Sequence, residues 1–464
     1  MEDELIIDKS YVELITADQA WHYNIVPRFA NHEEIRFLSL MNDLLIQEEL
    51  ELLFGKTIIL EETSETELRK LLISFYPVNA KPKTGISHFS NDFNDFLPKI
   101  ISEARALSSS DIHVESYDQE CRIRFRIDGK LAERYSFSKE KYPALVNRIK
   151  IQAHLDIAEK RLPQDGRIIF KQDNEKTDIR VSVMPTLYGE KVVLRLLNSN
   201  MDNISLDKLG FAPDQLSQYL TAIQKPHGII LISGPTGSGK TTTLYASLKF
   251  LNKENVNIMT VEDPIEYTLD GINQVQVKDD IGLTFAAALR TFLRQDPDII
   301  MLGEIRDNES AQMAIRAALT GHLVFSTVHT NSAFGTISRL LDMDIPPYLV
   351  SNTLNLSMAQ RLVRLLCPHC KQEEEFSMSL LPTNLRLDIQ THYKAVGCEH
   401  CYFTGYVGRK AIYELIPINH EIADKIKINN LSVNDLQFQS LKDSALELFL
   451  NGQTSFDEIL SYLL

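Results

Sequence analysis

The residues best suited to chemistry lie in one stretch, Gly234-Pro-Thr-Gly-Ser-Gly-Lys-Thr241. It fits G-x-x-x-x-G-K-[ST] at every fixed position. Glycines let backbone N–H groups turn inward around phosphate oxygens. The helix expected over 241–251 adds its positive N-terminal end. Lys240 is expected to neutralise the β and γ phosphates, and Thr241 to offer its hydroxyl to Mg²⁺. The candidate nucleotide-binding residues are Gly234, Pro235, Thr236, Gly237, Ser238, Gly239, Lys240, Thr241 and Thr242. ATP and Mg²⁺ are the cofactors this pattern calls for.

Hydrolysis needs a carboxylate to orient water and cations to meet the developing charge. Two strand-end acids are available: the strand expected over 257–261 leads into Glu262, and that over 298–302 leads through Gly303 into Glu304. Acids at the C-terminal ends of parallel strands sit where nucleotides bind in open α/β sheets. Gly303 stands where an Asp commonly ends such a strand. Mg²⁺ is then expected on Thr241 and phosphate oxygens, with Glu262 or Glu304 acting through water. A strand expected over 323–328 is bracketed by Thr320-Gly-His322 and by His329-Thr-Asn331. A His, Thr and Asn group at its end could sense the γ phosphate or relay its loss.

Arginines form a second theme. Arg122, Arg124 and Arg126 share one face of a strand, Arg161, Arg167, Arg180 and Arg195 follow, and Arg290 and Arg294 stand one helical turn apart. Ordinary salt bridging accounts for a surface arginine. A guanidinium fork also matches phosphate oxygens bidentately, so arginines outside the core could act as fingers across a domain or subunit boundary.

Cys367-Pro-His-Cys370 and Cys398-Glu-His-Cys401 form two C-x₂-C pairs separated by residues 371–397. Two such knuckles can converge on one tetrahedral Zn²⁺. The long gap predicts an extension between them. Four thiolates fill every coordination position, so the expected site is structural; redox dithiol chemistry is the rival. His369 and His400 read as exposed knuckle residues, and Cys121 as a buried strand residue.

The elements that must position these groups follow from the rest of the chain. It has 464 residues, 44% apolar and 24% charged, with net charge −15. Such values exclude a disordered or collagen-like chain, and the acidity argues against a dedicated nucleic-acid binder. The acidic opening MEDELIIDK predicts no secretory leader. The apolar runs are too short to cross a bilayer, so any membrane association is expected to be peripheral. Residues 1–85 read as a small α/β module, with a helix over 65–75 and a linker over 79–87. Residues 90–200 read as a second α/β domain: a helix over 93–106, the alternating strand 122–127, a helix over 144–157, an irregular segment over 161–169, and strands over 177–184 and 191–197, followed by a loop over 198–206. Residues 207–360 alternate strand and helix patterns, which predicts a parallel sheet. The tetracysteine segment spans 361–405, and 406–464 ends in helices over 440–451 and 455–463.

These motifs resemble the type II secretion and type IV pilus assembly ATPases, the general secretory pathway protein E family, over about residues 90–464. The likeness rests on Ser110-Asp-Ile-His-Val-Glu115, Arg124-Phe-Arg-Ile-Asp-Gly129, Leu162-Pro-Gln-Asp-Gly-Arg167, Tyr188-Gly-Glu190 and the phosphate loop. It extends to Thr260–Glu266 as an Asp box, Ile299–Asp307 as a Walker B segment and Gly321–Asn331 as a His box. The resemblance implies a PAS-like domain before a RecA-like P-loop ATPase core, with a zinc subdomain that marks extension-type members. It implies a homo-hexamer on the cytoplasmic face of the inner membrane, working through platform and docking proteins. By position it makes Glu304 the catalytic glutamate, with Glu262 assisting or sharing the base role and Lys240 on phosphate. His329 lies in the His box, and Arg167, Arg180, Arg290 and Arg294 match arginines that reach nucleotide. Residues 1–85 are expected to dock a membrane partner; no Arg-Leu-Gly motif is present to bind cyclic di-GMP. Two other classes compete. A non-hydrolysing scaffold is opposed by the intact Lys240, Glu262 and Glu304, and a nucleic-acid translocase by the net charge of −15.

Overall fold

The computed structural model describes residues 11, 14–15, 19–20, 23–31, 33–64, 68, 71–72, 75, 96–172, 175–197, 205–376 and 391–463. The expected linker over 79–87, most of the helix over 65–75 and the loop over 198–204 lie outside them. The chain divides into two units, 1–85 and 86–464.

In the first unit, β1 (Val26–Ala30), β2 (Glu34–Ser39), α1 (Leu44–Phe54) and β3 (Thr57–Glu62) form a three-stranded sheet with a helix. β2 runs antiparallel to β1 and parallel to β3, the crossover being α1. Ile35, Phe37, Ile58 and Leu60 alternate inward and pack with Leu50 of the helix.

The second unit begins with α2 (Phe96–Ala106), β4 (Asp111–Ser116), β5 (Glu120–Ile127), β6 (Lys130–Ser138), α3 (Tyr142–Gln152), β7 (Gln164–Gln172), β8 (Glu175–Thr186) and β9 (Gly189–Leu197). The six strands pair antiparallel in the order β6-β5-β4-β9-β8-β7. Alternation sends Ile112, Val114, Ile123, Phe125, Val181 and Val192 into a core with α2 and α3. The opposite face carries Arg122, Arg124, Arg126, Lys191 and Arg195. Two expectations are corrected here. The helix stops at Gln152, and His154 just beyond it takes φ 57°. The segment expected to be irregular over 161–169 is strand β7 from Gln164 onward. Gly166 permits this: a Cβ there would meet the Ala153 carbonyl oxygen at 2.6 Å.

The larger layer contains α4 (Pro213–Ile223), β10 (Gly228–Ser233), α5 (Lys240–Leu251), β11 (Ile258–Glu262), β12 (Asn273–Gln276), α6 (Phe285–Phe292), β13 (Ile299–Leu302), α7 (Asn308–Leu319), β14 (Leu323–Val328), α8 (Ala333–Asp342), α9 (Pro347–Thr353) and β15 (Leu354–Leu366). A small hairpin, β16 (Gln372–Glu375) and β17 (Thr391–Lys394), precedes β18 (Tyr406–Pro417) and the helices α10 (His420–Lys427), α11 (Leu441–Leu450) and α12 (Phe456–Leu463). The sheet order is β12-β11-β13-β14-β10-β15-β18, all parallel except β18. Every residue of β10, β13 and β14 is buried, as strands covered on both faces must be. Each large apolar side chain so placed contributes roughly 1.5–3 kcal/mol. The sheet does not end at 360. β15 continues to Leu366 and pairs with β18, so the cysteine segment is an insertion at the end of a long antiparallel pair. The segment expected from 361 thus begins inside β15, and the insertion itself spans 367–405. Among the described residues, no helix is long and apolar enough to cross a membrane.

Candidate nucleotide site

β10 delivers the phosphate loop and α5 receives it at Lys240. Two glycines are required by geometry. At Gly234 (φ 149°) a Cβ would lie 2.6 Å from the Gln360 carbonyl oxygen and from Ser238 Oγ. At Gly239, the left-handed N-cap of α5, it would meet Gln360 Nε2 at 2.8 Å. Gln360 of β15, itself buried, also accepts from Thr243 Oγ1 at 2.9 Å, so the neighbouring strand braces both ends of the loop. Lys240 Nζ donates to the Gly234 and Pro235 carbonyls at 2.7 and 3.0 Å. Burial lowers its pKa, and the nearby Glu304 charge works against that shift. Thr241 is exposed, whereas Thr243 is buried.

The loop opens on a cleft of about 490 Å³ shared by both sheets of this unit. Glu262, at the end of β11, is 4% exposed. It accepts from Thr260 Oγ1 at 2.6 Å, from Gln274 Nε2 at 3.1 Å and from the Tyr245 hydroxyl. Glu304, past the end of the adjacent β13, has a side chain 16% exposed. It pairs with Arg306 and lies 3.1 Å from His329 Nε2. Burial would raise the Glu304 pKa, but the Arg306 guanidinium and His329 outweigh it and hold the carboxyl below its ordinary value. Arg306 also stands 3.8 Å from Asp263. Gly303 packs where a larger residue would crowd the Val261 carbonyl, its Cβ position lying 3.2 Å from that oxygen. Thr327 Oγ1 donates to the Gly303 carbonyl at 2.8 Å. That bond and the His329–Glu304 contact tie the end of β14 to the Glu304 segment.

The two histidines are separated. His329 reaches the cleft, while His322 sits at the opposite end of β14, its Nδ1 2.8 Å from the Ala317 carbonyl. The Asn331 carbonyl accepts from Arg361 Nη2 at 3.0 Å. Of the four arginines expected on nucleotide, Arg180 reaches the segment after Glu262, donating to the Ile265 carbonyl at 2.7 Å. Arg167 pairs with Asp178 on β7–β8. Arg290 pairs with Glu309 at 3.1 Å, and Arg294 donates to the Arg290 carbonyl. Within one chain none of the four lines the cleft, Arg180 coming nearest through its bond to Ile265. Two others line it: Arg195 of β9 and Arg409 of β18. Sequence reasoning met Arg195 only as one of a basic series and passed over Arg409. No local pattern marks Arg409, because its place depends on the β15–β18 pairing.

The four cysteine sulfurs lie within 4.8 Å of one another. Cys367–Cys398, Cys370–Cys401 and Cys398–Cys401 are 3.9, 3.7 and 3.8 Å apart. A tetrahedron with Zn–S bonds of about 2.3 Å has edges of about 3.8 Å, so the donor set fits Zn²⁺. Backbone N–H groups of Gly397, Cys398 and Gly405 point at Cys370 and Cys401 sulfurs, the outer-shell arrangement that suits thiolates. His369 and His400 are exposed, with ring centroids 4.0 Å apart and planes tilted by 60°. Cys121 is buried in β5.

Comparison with known proteins shows the family and the fold. The family described as "Type II/IV secretion system protein" matches residues 90–461. The chain is 49% identical over 373 residues to the type IV pilus assembly ATPase PilB of Myxococcus xanthus, covering 78% of this chain and 66% of that protein. It is 47% identical over 369 residues to type II secretion system protein E of Klebsiella pneumoniae, covering 78% and 74%. The X-ray structure of the Legionella pneumophila ATPase DotB superposes with a TM-score of 0.61 at 21% identity, over 81% of this chain and 98% of that one, a likeness of fold. The crystal structure of the pilus retraction motor PilT with bound ADP gives 0.53 at 27% identity, over 80% and 97%. The chain belongs to the type II/IV secretion system protein family.

Proposed function

We propose that the chain is a motor ATPase that hydrolyses ATP at the cleft around Lys240 and Glu304. In this reading a ring of six copies, peripheral at the cytoplasmic face of the inner membrane, passes domain motion to a platform protein. That motion assembles pilin-like subunits in type II secretion or type IV pilus assembly. The observation that carries the reading is the meeting of Lys240, Glu304 and His329 on one cleft at the ends of parallel strands, with Arg306 paired to Glu304.

The chemistry follows from these residues. Lys240 exchanges its two loop carbonyls for the β and γ phosphates, and the loop N–H groups take the remaining oxygens. Mg²⁺, when bound to the Thr241 hydroxyl, neutralises phosphate charge. Glu304, kept ionised by Arg306 and His329, orients a water in line with the γ phosphorus. As the water oxygen bonds to phosphorus, the bond to the ADP oxygen breaks, and the water proton passes to Glu304 or to a phosphate oxygen. Glu262 has its carboxylate occupied by three protein donors; it positions β11 rather than serving as base. His329 reports the state of Glu304 to β14.

Cys367, Cys370, Cys398 and Cys401 hold Zn²⁺ as a structural ion. Residues 1–85 dock a membrane partner, and the PAS-like domain moves against the RecA-like core. Arg167, Arg290 and Arg294 act across a subunit boundary, which accounts for their distance from the cleft of their own chain.

The test is ATP turnover per subunit against protein concentration, with Glu304→Gln alongside. Turnover that rises with concentration and vanishes in the variant is expected. Turnover undiminished in Glu304→Gln would overturn the assignment.

A further inference from the structure

The Asp128-Gly129 turn belongs to a motif that the chemistry above leaves without a task. Asp128 sits at the tip of the β5–β6 hairpin with φ 47°. Its carboxylate crosses to the other sheet: Oδ2 accepts from the Gly408 N–H at 2.9 Å, and Oδ1 lies 3.3 Å from Arg409 Nε. Arg134 of the same hairpin lies over the Tyr402 ring, 5.5 Å from its centroid. Arg409 lines the cleft, and its two Nη groups make no hydrogen bond among the described residues. Arg195 shows the same arrangement. Its Nε edge is held by Asp111 at 3.0 Å, its Nη groups make no hydrogen bond among the described residues, and it lines the same cleft. Two guanidinium forks are thus gripped from behind by aspartates of the smaller sheet.

Sheet topology says which end of a nucleotide they meet. Glu304 and His329 lie after β13 and β14, on one side of β10. Arg409 lies on β18, on the other side. β18 is antiparallel, so its first residues come to the edge where the parallel strands finish. A nucleotide with its γ phosphate at Glu304 extends its other end toward Arg409. We infer that Asp128 is a positioning residue that presents Arg409 to the α-phosphate and ribose end of the nucleotide, so that nucleotide occupancy and docking of the smaller sheet on the core depend on each other. A guanidinium fork suits phosphate oxygens, and fixing its Nε edge removes rotamers that would otherwise be lost on binding. The inference rests on the cleft being a nucleotide site.

The experiment is binding of fluorescent ADP to the full chain, and of fluorescent ATP in a Glu304→Gln background. The variants are Asp128→Asn, Arg409→Ala, the double variant and Lys240→Ala. Asn tolerates the left-handed turn, so Asp128→Asn removes the charge without straining the backbone, and an unchanged melting temperature checks this. Asp128→Asn and Arg409→Ala should each weaken ADP about three- to tenfold, in keeping with a part-exposed ion pair and a charged contact. ATP should weaken by the same factor as ADP, and the double variant should be no weaker than Arg409→Ala alone. In steady state, Asp128→Asn should raise KM more than it lowers kcat. ADP affinity unchanged in Asp128→Asn, or single effects that multiply in the double variant, would overturn the inference while leaving the nucleotide site in place. A loss confined to ATP would move Arg409 to the γ phosphate and overturn it too. Wild-type protein that binds ADP no better than Lys240→Ala would instead contradict the site itself, and the inference with it.

Discussion

The ends of β11 and β13 lie side by side, with Val261 paired to Leu302, yet they treat their acids in opposite ways. Glu262 also lines the cleft, but it is buried and its carboxylate is held by Thr260, Gln274 and Tyr245, all neutral donors. Glu304 faces the cleft with a guanidinium and an imidazole beside it. A carboxylate whose oxygens are committed to fixed donors holds structure together. One balanced by mobile charge at a cleft can release a contact and take a water. The difference supports the proposed division of work between adjacent strand-end acids, one setting the position of the strand and the other acting on the substrate.

Four substitutions would break or sharpen that contrast. The largest effect is expected for Glu304→Gln, which should lower kcat by about 10²- to 10⁴-fold, the usual range for a general base, while ADP still binds. Glu262→Gln should lower kcat far less and act mainly on stability. The NH₂ must replace either Oε1, which accepts from Thr260 and Gln274, or Oε2, which accepts from Tyr245, and so leaves a buried donor unmatched, at a cost of about 1–3 kcal/mol, read as a lower midpoint in denaturant. Tyr245→Phe removes one of those donors and should cost about 1 kcal/mol with turnover nearly intact.

Arg306→Ala is expected to change pH dependence more than maximal rate. Glu304 is held below its ordinary pKa, so its ionised form persists into acid. The stabilisation from that shift is complete above the unfolded pKa and is lost as pH falls through the folded one. Without Arg306 the acid limb of the rate profile should move to higher pH. An unmoved limb would show that Arg306 does not set the Glu304 charge.

What could be read from sequence was what local pattern encodes. The buried run Gly228–Ser233, the glycines after it and the helix from Lys240 are contiguous, so strand, loop and helix were legible together. The acids at 262 and 304 and the two cysteine knuckles were legible for the same reason. The helix expected over 440–451 was legible too, though Ser440 proves to be its cap: its Oγ accepts from the Asp443 N–H, and the Asp443 carboxylate accepts from the Ser440 N–H. The rest depends on partners far along the chain. Strand β7 looks irregular until β8 pairs with it and Ala153 presses on Gly166. The strand over 323–328 already sets His322 and His329 at its two ends, but the groups they meet, the Ala317 carbonyl and Glu304, come from other elements. Arg409 gains meaning only when β18 folds back along β15 and Asp128 reaches it from another sheet. The division of labour between Glu262 and Glu304 was likewise invisible, because Tyr245 and Gln274 come from other elements.

The most direct test of that division is single-turnover ATP cleavage, measured side by side in Glu304→Gln and Glu262→Gln at saturating ATP. The account predicts that cleavage stops in the first and continues, slowed, in the second. Cleavage that continues in Glu304→Gln and stops in Glu262→Gln would contradict it and give the base role to the buried acid.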